Sequence, residues 1–327
     1  MKPSVYMEEM DAFTYRDKLE GDSIFFIPVG ALEQHGSHMA MCVDAALTKT
    51  MAGETAKALE EATNGKVHGI VTAPINYGFR SQQRSGGGFH LTGTTSLRGT
   101  TLISLARDIA YSLIRQGARK IVLMNGHYEN YQFAFEGMQL AIEDARREGI
   151  DDVKIQLLSY WDFVDDATIE RLYPDGFTGW DLEHAGVMET SLMLLFFPEL
   201  VDMSRMDEKL YTGLPATLPN YDILPIVPSY TPPSGCLSHP GESSKEKGII
   251  LRDVAVANMV EAIKLEYLQD YIIVNSRVIQ ALGMYHPIFQ MTLQERRTSG
   301  GFMLHHTDRR FDANELVHSL GDFHEIS

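Results

Sequence analysis

Residues 24–44 read IFFIPVGALEQHGSHMAMCVD, and this stretch decides what kind of fold the chain adopts. It starts with an apolar run at residues 24–27 that is typical of a strand buried on both faces, and the run ends at Gly30. Strands buried on both faces belong to parallel sheets that are covered by helices. The stretch therefore predicts an α/β fold with a polar loop directly after a buried strand.

Side chains that bind metals follow this strand within the polar loop. They are Glu33, His35, His38 and Asp44. Open α/β sheets bind their ligands beyond the carboxyl ends of their strands. Glu33 and His35 are two residues apart, so they point the same way in an extended segment. Taken alone, the loop fits either a metal site or a set of solvated polar side chains.

Strands and helices alternate along most of the chain. Further strands are predicted at residues 120–124 and 153–159, and residues 67–78 are predicted to form a strand followed by a loop. Helices are predicted at 45–62, after Ser96, after Asn130, at 186–197 and from Lys245. The helix after Ser96 is expected to bury Leu102, Leu105, Ile109 and Leu113, and the next one Phe135, Met138 and Ile142. Residues 198–244 hold eight of the thirteen prolines, which favours an extended wrap over the surface. The alternation predicts a three-layer α/β/α fold with a mostly parallel central sheet.

Composition excludes several classes of partner. The net charge of −16 disfavours nucleic acids and anionic membranes, because both require basic patches. Only two cysteines are present, so no disulfide framework is expected. The acidic amino terminus lacks the features of a signal peptide, and no apolar run approaches the roughly 20 residues of a membrane span. We therefore expect a cytoplasmic protein that does not bind membranes.

A second polar loop, NGHYEN at residues 125–130, follows the strand predicted at 120–124. If the two strand ends are neighbours, the pairs Glu33/His35 and His127/Glu129 face each other with Asp44 between them. Two histidines and three carboxylates suit two divalent ions such as Zn or Mn, with one carboxylate bridging. Two ions that share a water would supply hydroxide at neutral pH. The alternative is that the two strand ends carry unrelated polar residues.

A third stretch, WDLEHAGVME at residues 180–189, places His184 beside Glu183. One of these two side chains could orient the other for proton transfer, although a structural histidine is an equally simple reading. Trp161 and Trp180 are the only tryptophans, and both lie in loops near the predicted metals. Together they suggest walls for a flat or ring-shaped substrate.

Several long motifs resemble the creatininase family over about residues 20–268. The motifs are Glu33-Gln-His-Gly36 with Asp44, SQQRSGGG at 81–88, LMNGHYEN at 123–130, LSYWDFV at 158–164 and GFTGWDLEHAGVMETSLML at 176–194. The resemblance implies an α/β fold, a dinuclear Zn or Mn site, and a homohexamer built as a trimer of dimers. It also implies a metal-dependent hydrolase that opens a cyclic amide, with creatinine as substrate and creatine as product.

The resemblance assigns roles to particular residues. Glu33, Asp44 and His127 would hold one metal, and His35, Asp44 and Glu129 the other. His184 would be the catalytic acid and base, with Glu183 beside it. Trp161, Trp180, Tyr128, Gly87 and Phe89 would form the substrate pocket.

Two departures leave the substrate open. Phe89 stands where creatininase has a polar residue, and the chain continues past Leu268, where the family ends. A hydrolase domain at residues 1–268 and an extension at 269–327 are therefore predicted, with the extension packing on a neighbouring subunit or over the site mouth. The alternatives are a relative that opens another small ring, such as a cyclic ketone of the dehydro-inosose type, and a non-catalytic scaffold.

Overall fold

The computed structural model describes residues 4–206 and 221–268. Its centre is a sheet of four parallel strands in the order β2-β1-β3-β4. The strands are β1 (Asp22–Val29), β2 (Val67–Val71), β3 (Lys120–Asn125) and β4 (Lys154–Ser159). The predicted parallel sheet is confirmed. The second strand ends at Val71 and a loop follows it, in agreement with the strand and loop predicted within residues 67–78.

Seven α-helices cover the sheet. They are α1 (Ala12–Glu20), α2 (Val43–Ala62), α3 (Gly99–Gln116), α4 (Tyr131–Arg147), α5 (Asp166–Leu172), α6 (Val187–Phe196) and α7 (Lys245–Tyr267) within the described ranges. Alternate side chains of β1 enter opposite faces, as expected of a strand buried on both sides. Phe26 packs in the core that α2, α6 and α7 share. Phe25 and Ile27 pack in the core shared with α3 and α4, which gives the three layers of the predicted fold.

The buried faces of α3 and α4 differ from the prediction. Leu105 of α3 is 38% exposed and Phe135 of α4 is 54% exposed. The neighbouring alanines, Ala106 and Ala134, are fully buried. The two helices approach so closely that a Cβ atom on Gly137 would lie 2.7 Å from the Ile103 carbonyl oxygen. Small side chains therefore form this contact, and the larger apolar residues on the same helices point away from it.

The carboxyl ends of three strands lie side by side. Val29 pairs with Asn125, and Asn125 pairs with Ser159. β1 lies between β2 and β3, so the chain order reverses direction at β1, and such a switch point leaves a crevice beyond the strand ends. The two polar loops that the sequence singled out begin at this crevice, which confirms that their strands are neighbours.

The last described helix ends beside the amino ends of the strands, opposite the crevice. The Tyr267 hydroxyl donates to the Ile121 carbonyl at 2.6 Å, near the start of β3. The extension predicted at 269–327 lies outside the described residues, as does part of the proline-rich wrap. None of the helices in the described ranges combines the length and the hydropathy needed for a membrane span.

Candidate metal centre and pocket

Both polar loops start where the strand ends press against the first turns of α2. A Cβ atom on Gly30 would lie 2.4 Å from the Cα atom of Ala45, and one on Gly126 would lie 1.4 Å from Thr48 Oγ1. Only glycine permits these approaches. Asp44, in the first turn of α2, is thereby held between the ends of β1 and β3, as the sequence predicts.

Carboxylate and imidazole groups converge there into three sets, each with donor atoms within 4.8 Å of one another. The sets are Glu33 with Asp44 and His127, His35 with Asp44 and Glu189, and Glu33 with His35 and His184. Asp44 belongs to the first two. Its Oδ2 lies 3.3 Å from His127 Nδ1, and its Oδ1 lies 3.1 Å from His35 Nε2. One carboxylate thus offers an oxygen to each of two neighbouring positions, as a bridging ligand does.

The donor atoms fit divalent cations. Glu33 Oε2, His35 Nε2 and Asp44 Oδ2 are buried and make no hydrogen bond within the described part of the chain. Buried polar atoms nearly always have a hydrogen-bond partner. Three neighbouring atoms without one, among groups that could bind a metal, therefore indicate that a bound cation is their partner. His35 Nδ1 contacts the Glu33 carbonyl at 3.0 Å and His127 Nε2 the Phe79 carbonyl at 3.0 Å. Each ring is therefore oriented to present its other nitrogen to a metal.

The titration behaviour of these groups shows the same need for positive charge. Burial by itself would lower the pKa of His127, but the carboxylates of Glu129 and Glu33 outweigh it and raise the pKa to about 10. Burial would raise the pKa of Asp44, yet the positive charges of His35 and His127, whose ring nitrogens lie 3.1 and 3.3 Å from its oxygens, hold it below its usual range. Protonated histidines thus supply the positive charge that a bound cation would replace.

Glu129 lies apart from the three sets. Its Oε2 is 3.2 Å from His127 Nε2, on the side of the ring that faces away from Asp44. Its Oε1 accepts hydrogen bonds from the Gln82 amide at 3.0 Å and from Ser85 Oγ at 2.5 Å. The geometry gives the predicted place of Glu129 beside His35 to Glu189 instead. The sequence feature that could have indicated Glu189 is its place in the first turn of a predicted helix, just after the loop that carries His184.

A cavity of about 220 Å³ opens above the centre. Nine residues singled out from the sequence line it: Glu33, Asp44, His127, Tyr128, Glu129, Trp161, Trp180, Glu183 and His184. Gly87 and Phe89, predicted in the pocket, are not among its lining residues. Ser85 and Gly86 of the same loop line the cavity instead. The Phe89 ring packs against Arg80, whose guanidinium carbon lies 5.4 Å from the ring centroid.

His184 and Glu183 are neighbours in sequence but have separate partners. His184 Nε2 lies 3.1 Å from the Gln34 carbonyl, and its ring centroid is 4.4 Å from that of His35. The Glu183 carboxylate accepts from the Met188 amide at 2.6 Å, at the start of α6, and burial raises its pKa to about 7. The Gln34 carbonyl therefore orients the His184 ring, and a catalytic part for Glu183 stays a prediction.

His38 takes no part in the donor sets. Its Nε2 lies 2.9 Å from the hydroxyl of Thr190, and burial lowers its pKa to about 4. A neutral histidine that is hydrogen-bonded inside the core fits a structural role, so this part of the polar loop supports the fold and not the centre.

The Creatininase model, described as creatinine amidohydrolase, matches residues 8–263. The creatinine amidohydrolase of Pseudomonas putida is 46% identical over 269 residues, which cover 82% of this chain and 99% of that protein.

Solved creatininase structures match with the same extent. A manganese form has a TM-score of 0.75 at 46% identity and covers 81% of this chain and 100% of its own. A zinc–zinc variant at 45% identity covers 82% of this chain and 100% of its own, and a variant complexed with creatine at 44% identity covers 81% and 100%. Both have a TM-score of 0.75. The donor sets, the cavity and these matches lead to one conclusion: the chain belongs to the creatininase family.

Proposed function

We propose that the protein is a metal-dependent hydrolase of cyclic amides that converts creatinine to creatine. The observation that carries this proposal is the convergence of three unsatisfied donors, on Glu33, His35 and Asp44, beside a cavity walled by two tryptophans. The similarity to the Pseudomonas enzyme and to the creatine-complexed variant supports the choice of substrate.

Two divalent ions, Zn or Mn, fit the donor sets. Glu33, Asp44 and His127 would hold one ion, and His35, Asp44 and Glu189 the other. When bound, the ions supply Lewis acidity that activates water and stabilises negative charge on the oxygen of the substrate carbonyl. The oxygen and nitrogen donors match the preferences of both metals. Glu129, hydrogen-bonded beside His127, would support the orientation of that ring.

His184 would handle the proton of the leaving group. Because Nε2 faces a carbonyl oxygen, which can only accept, Nε2 carries the hydrogen in the neutral ring and Nδ1 is the basic nitrogen. Nδ1 can take up a proton during the attack and deliver it to the ring nitrogen as the amide bond breaks. His184 lines the cavity in which the substrate would lie.

The pocket favours a small, flat ring without negative charge. Trp161 and Trp180 supply aromatic surfaces on its walls, and Tyr128 is 65% exposed at its edge. Seven of the lining residues are Asp or Glu, and none is Lys or Arg. Four of these carboxylates, on Glu129, Asp162, Asp181 and Glu183, lie outside the proposed ligand sets and keep the walls acidic, so creatinine, a neutral or cationic ring, is compatible with this surface.

A substrate panel on metal-loaded protein tests the proposal. We expect formation of creatine from creatinine with Mn or Zn bound, and none after chelation. Protein that binds two ions, leaves creatinine intact and opens a cyclic ketone of the inosose type would replace the proposal with the other ring-opening reaction. Protein that binds no ions under any condition would indicate a non-catalytic scaffold.

Three wider features are part of the same proposal. Residues 1–268 would form the hydrolase domain and 269–327 an extension to it. Six chains would assemble as a trimer of dimers, with a mass of about 220 kDa from chains of 36.7 kDa, which light scattering measures directly. A cytoplasmic location is supported by the acidic composition and the low cysteine content, and cell fractionation tests it.

A further inference from the structure

The glycine loop, residues 81–88, donates hydrogen bonds to two carboxylates of the candidate site. Ser81 Oγ donates to Glu33 Oε1. Ser85 Oγ and the Gln82 amide both donate to Glu129 Oε1, at 2.5 and 3.0 Å. The orientation of both carboxylates therefore depends on where this loop lies.

The loop is held from outside by the strap, which we define as residues 221–238 of the proline-rich wrap. Gln83 makes the link. Although its neighbours Gln82 and Arg84 are exposed, Gln83 is only 1% exposed. Its Oε1 accepts from the Val227 amide at 2.8 Å, and its Nε2 donates to the Gly87 carbonyl at 3.0 Å and to Thr231 Oγ1 at 3.3 Å. Both N–H groups and the oxygen of this amide are used, so its orientation is fixed from three sides.

The packing around Gln83 leaves the loop little freedom. The Thr231 hydroxyl also donates to the Gly87 carbonyl, and a Cβ atom on Gly87 would lie 2.7 Å from Thr231 Cγ2. A Cβ atom on Gly88 would lie 2.7 Å from Ile226 Cγ2. Both glycines have positive φ, of 76° and 109°, which other residues adopt only with strain. Side chains of the strap thus pack directly against the backbone of the glycine loop.

The strap is itself fastened to two other parts of the site. The Leu237 amide donates to the His184 carbonyl at 3.1 Å, and Gln34 Nε2 donates to the Ser234 carbonyl at 3.0 Å. Gln34 is the residue between Glu33 and His35. The strap therefore connects the glycine loop with the loop that carries the donors and with the loop that carries His184.

We infer that Gln83 is a positioning residue, which joins the strap to the glycine loop and so holds Ser81 and Ser85 against the carboxylates of Glu33 and Glu129. Gln83 touches neither the donor atoms nor the cavity, and it acts through the two serines. The inference rests on the proposed function for its metal-binding consequence. A glutamine that only stabilised the fold would affect melting and leave metal affinity and turnover unchanged.

The test replaces the amide without changing the volume. Gln83→Met keeps the length of the side chain and removes all three hydrogen bonds, and Thr231→Val removes the hydroxyl from the same cluster. Losing a direct hydrogen-bond partner of a metal ligand costs about 10- to 100-fold in metal affinity or activity, and Ser81, which Gln83 positions, is such a partner of Glu33. We expect the Mn dissociation constant of Gln83→Met to rise by about tenfold or more, with a similar fall in kcat and a change in KM of at most about threefold. Thr231→Val should also weaken Mn binding. The loss of Mn affinity in the double variant should be smaller than the product of the two single losses, because Gln83 and Thr231 bond to each other and to the same Gly87 carbonyl.

Ser244→Ala is the stability control. Ser244 caps α7 through its bond from the Lys247 amide at 3.2 Å and lies outside the site. Its loss should lower the melting temperature by roughly 2–4 °C and leave Mn affinity, kcat and KM unchanged. Gln83→Met with the Mn affinity and kcat of this control would overturn the inference. Wild-type protein that binds Mn but leaves creatinine intact would contradict only the proposed function, since Mn affinity would still report on Gln83.

Discussion

Asp44 shows how much of the centre depends on one side chain. It is the residue that two donor sets share, and its two oxygens face His35 and His127 from between the strand ends. The sequence placed it there because polar loops after two buried strands meet when the strands pair. Only the strand order is needed for this prediction, which is why Glu33, His35, Asp44 and His127 could be placed together from the sequence.

Replacing Asp44 by Asn should therefore disrupt both metal positions. The amide keeps the shape but carries no charge and offers a single acceptor oxygen, so it bridges two cations poorly. We expect fewer than two ions per chain by elemental analysis, and a loss of kcat/KM of about 100-fold or more. Asp253→Asn, on the exposed surface of α7, serves as the matched control. A variant at position 44 with two ions and normal turnover would remove the bridging assignment.

The sequence could not separate Glu129 from Glu189 as the fifth donor. Spacing of two residues after His127 made Glu129 the natural choice, but spacing says nothing about which edge of the imidazole a carboxylate reaches. Glu189 reaches the His35 side only because the His184 loop and the start of α6 fold back over the strand ends. The Glu189 Oε2 atom lies 3.6 Å from His35 Nε2 and accepts the Ala185 amide at 2.6 Å.

A matched pair of variants distinguishes the two carboxylates. Glu189→Gln should lower the metal content towards one ion per chain, because the His35 position loses a charged ligand. Glu129→Gln should keep two ions, because its oxygens face Ser85, Gln82 and the far edge of His127. Metal analysis after dialysis against limited Zn compares them. The reverse result would restore the assignment that the sequence suggested.

Glu183 should make stability depend on pH. Burial raises its pKa from 4.5 to about 7 in the folded protein, so the folded state holds this proton more tightly than the unfolded chain does. Stability therefore falls as the pH rises from 4.5 to about 7 and then levels off. Glu183→Gln keeps an oxygen for the Met188 amide and removes the charge. Metal-free melting curves should show the variant gaining about 1 to 3 kcal/mol over wild type between pH 4.5 and pH 8. An equal difference at both pH values would contradict the raised pKa.

At the scale of elements, hydrophobic periodicity located the helices better than it located their faces. The bounds of α2, α3, α4 and α6 lie within a few residues of the predicted ones. Periodicity gives most weight to large apolar side chains, so it placed Leu105 and Phe135 inside. Where two helices pack closely, small residues form the contact instead. Which face this is depends on the partner helix, so it cannot be predicted from the sequence of one helix alone.

Gly137→Ala tests how tight this contact is. The new methyl group would meet the Ile103 carbonyl oxygen at 2.7 Å and the Ala106 Cβ atom at 2.9 Å. Overpacking costs about 1 to 3 kcal/mol, against a gain of up to about 1 kcal/mol in helix propensity, so we expect a net loss of roughly 1 kcal/mol in unfolding free energy. Gln132→Ala, at an exposed position of the same helix, should change stability by less than about 0.5 kcal/mol. Gain of stability in Gly137→Ala would show that α3 and α4 can move apart.

At the scale of the molecule, the two ends of the strands form two opposite poles, the pole of the carboxyl ends and the pole of the amino ends. The loops that build the centre leave the carboxyl ends of the strands, whereas α7 ends beside their amino ends. Tyr267 bonds to the carbonyl of Ile121, and Lys154, the first residue of β4, binds the Glu266 carboxylate at 2.5 Å. The chain therefore continues into residues 269–327 from the pole that is opposite to the cavity, roughly 20 Å away along a six-residue strand.

The point from which the extension starts favours one of the two roles predicted for it. A segment that starts at the far pole is better placed to contact a neighbouring subunit than to cover the site mouth, so deleting residues 270–327 should change assembly and not substrate binding. We expect the mass by light scattering to fall below that of the full-length oligomer, while the KM for creatinine stays within about twofold, because the cavity lining lies within the described residues. Cutting at residue 270 leaves α7 and its contacts with the sheet intact, so loss of the fold is not an expected cause. An unchanged mass together with a raised KM would place the extension over the site, and no change in either would make it dispensable for both.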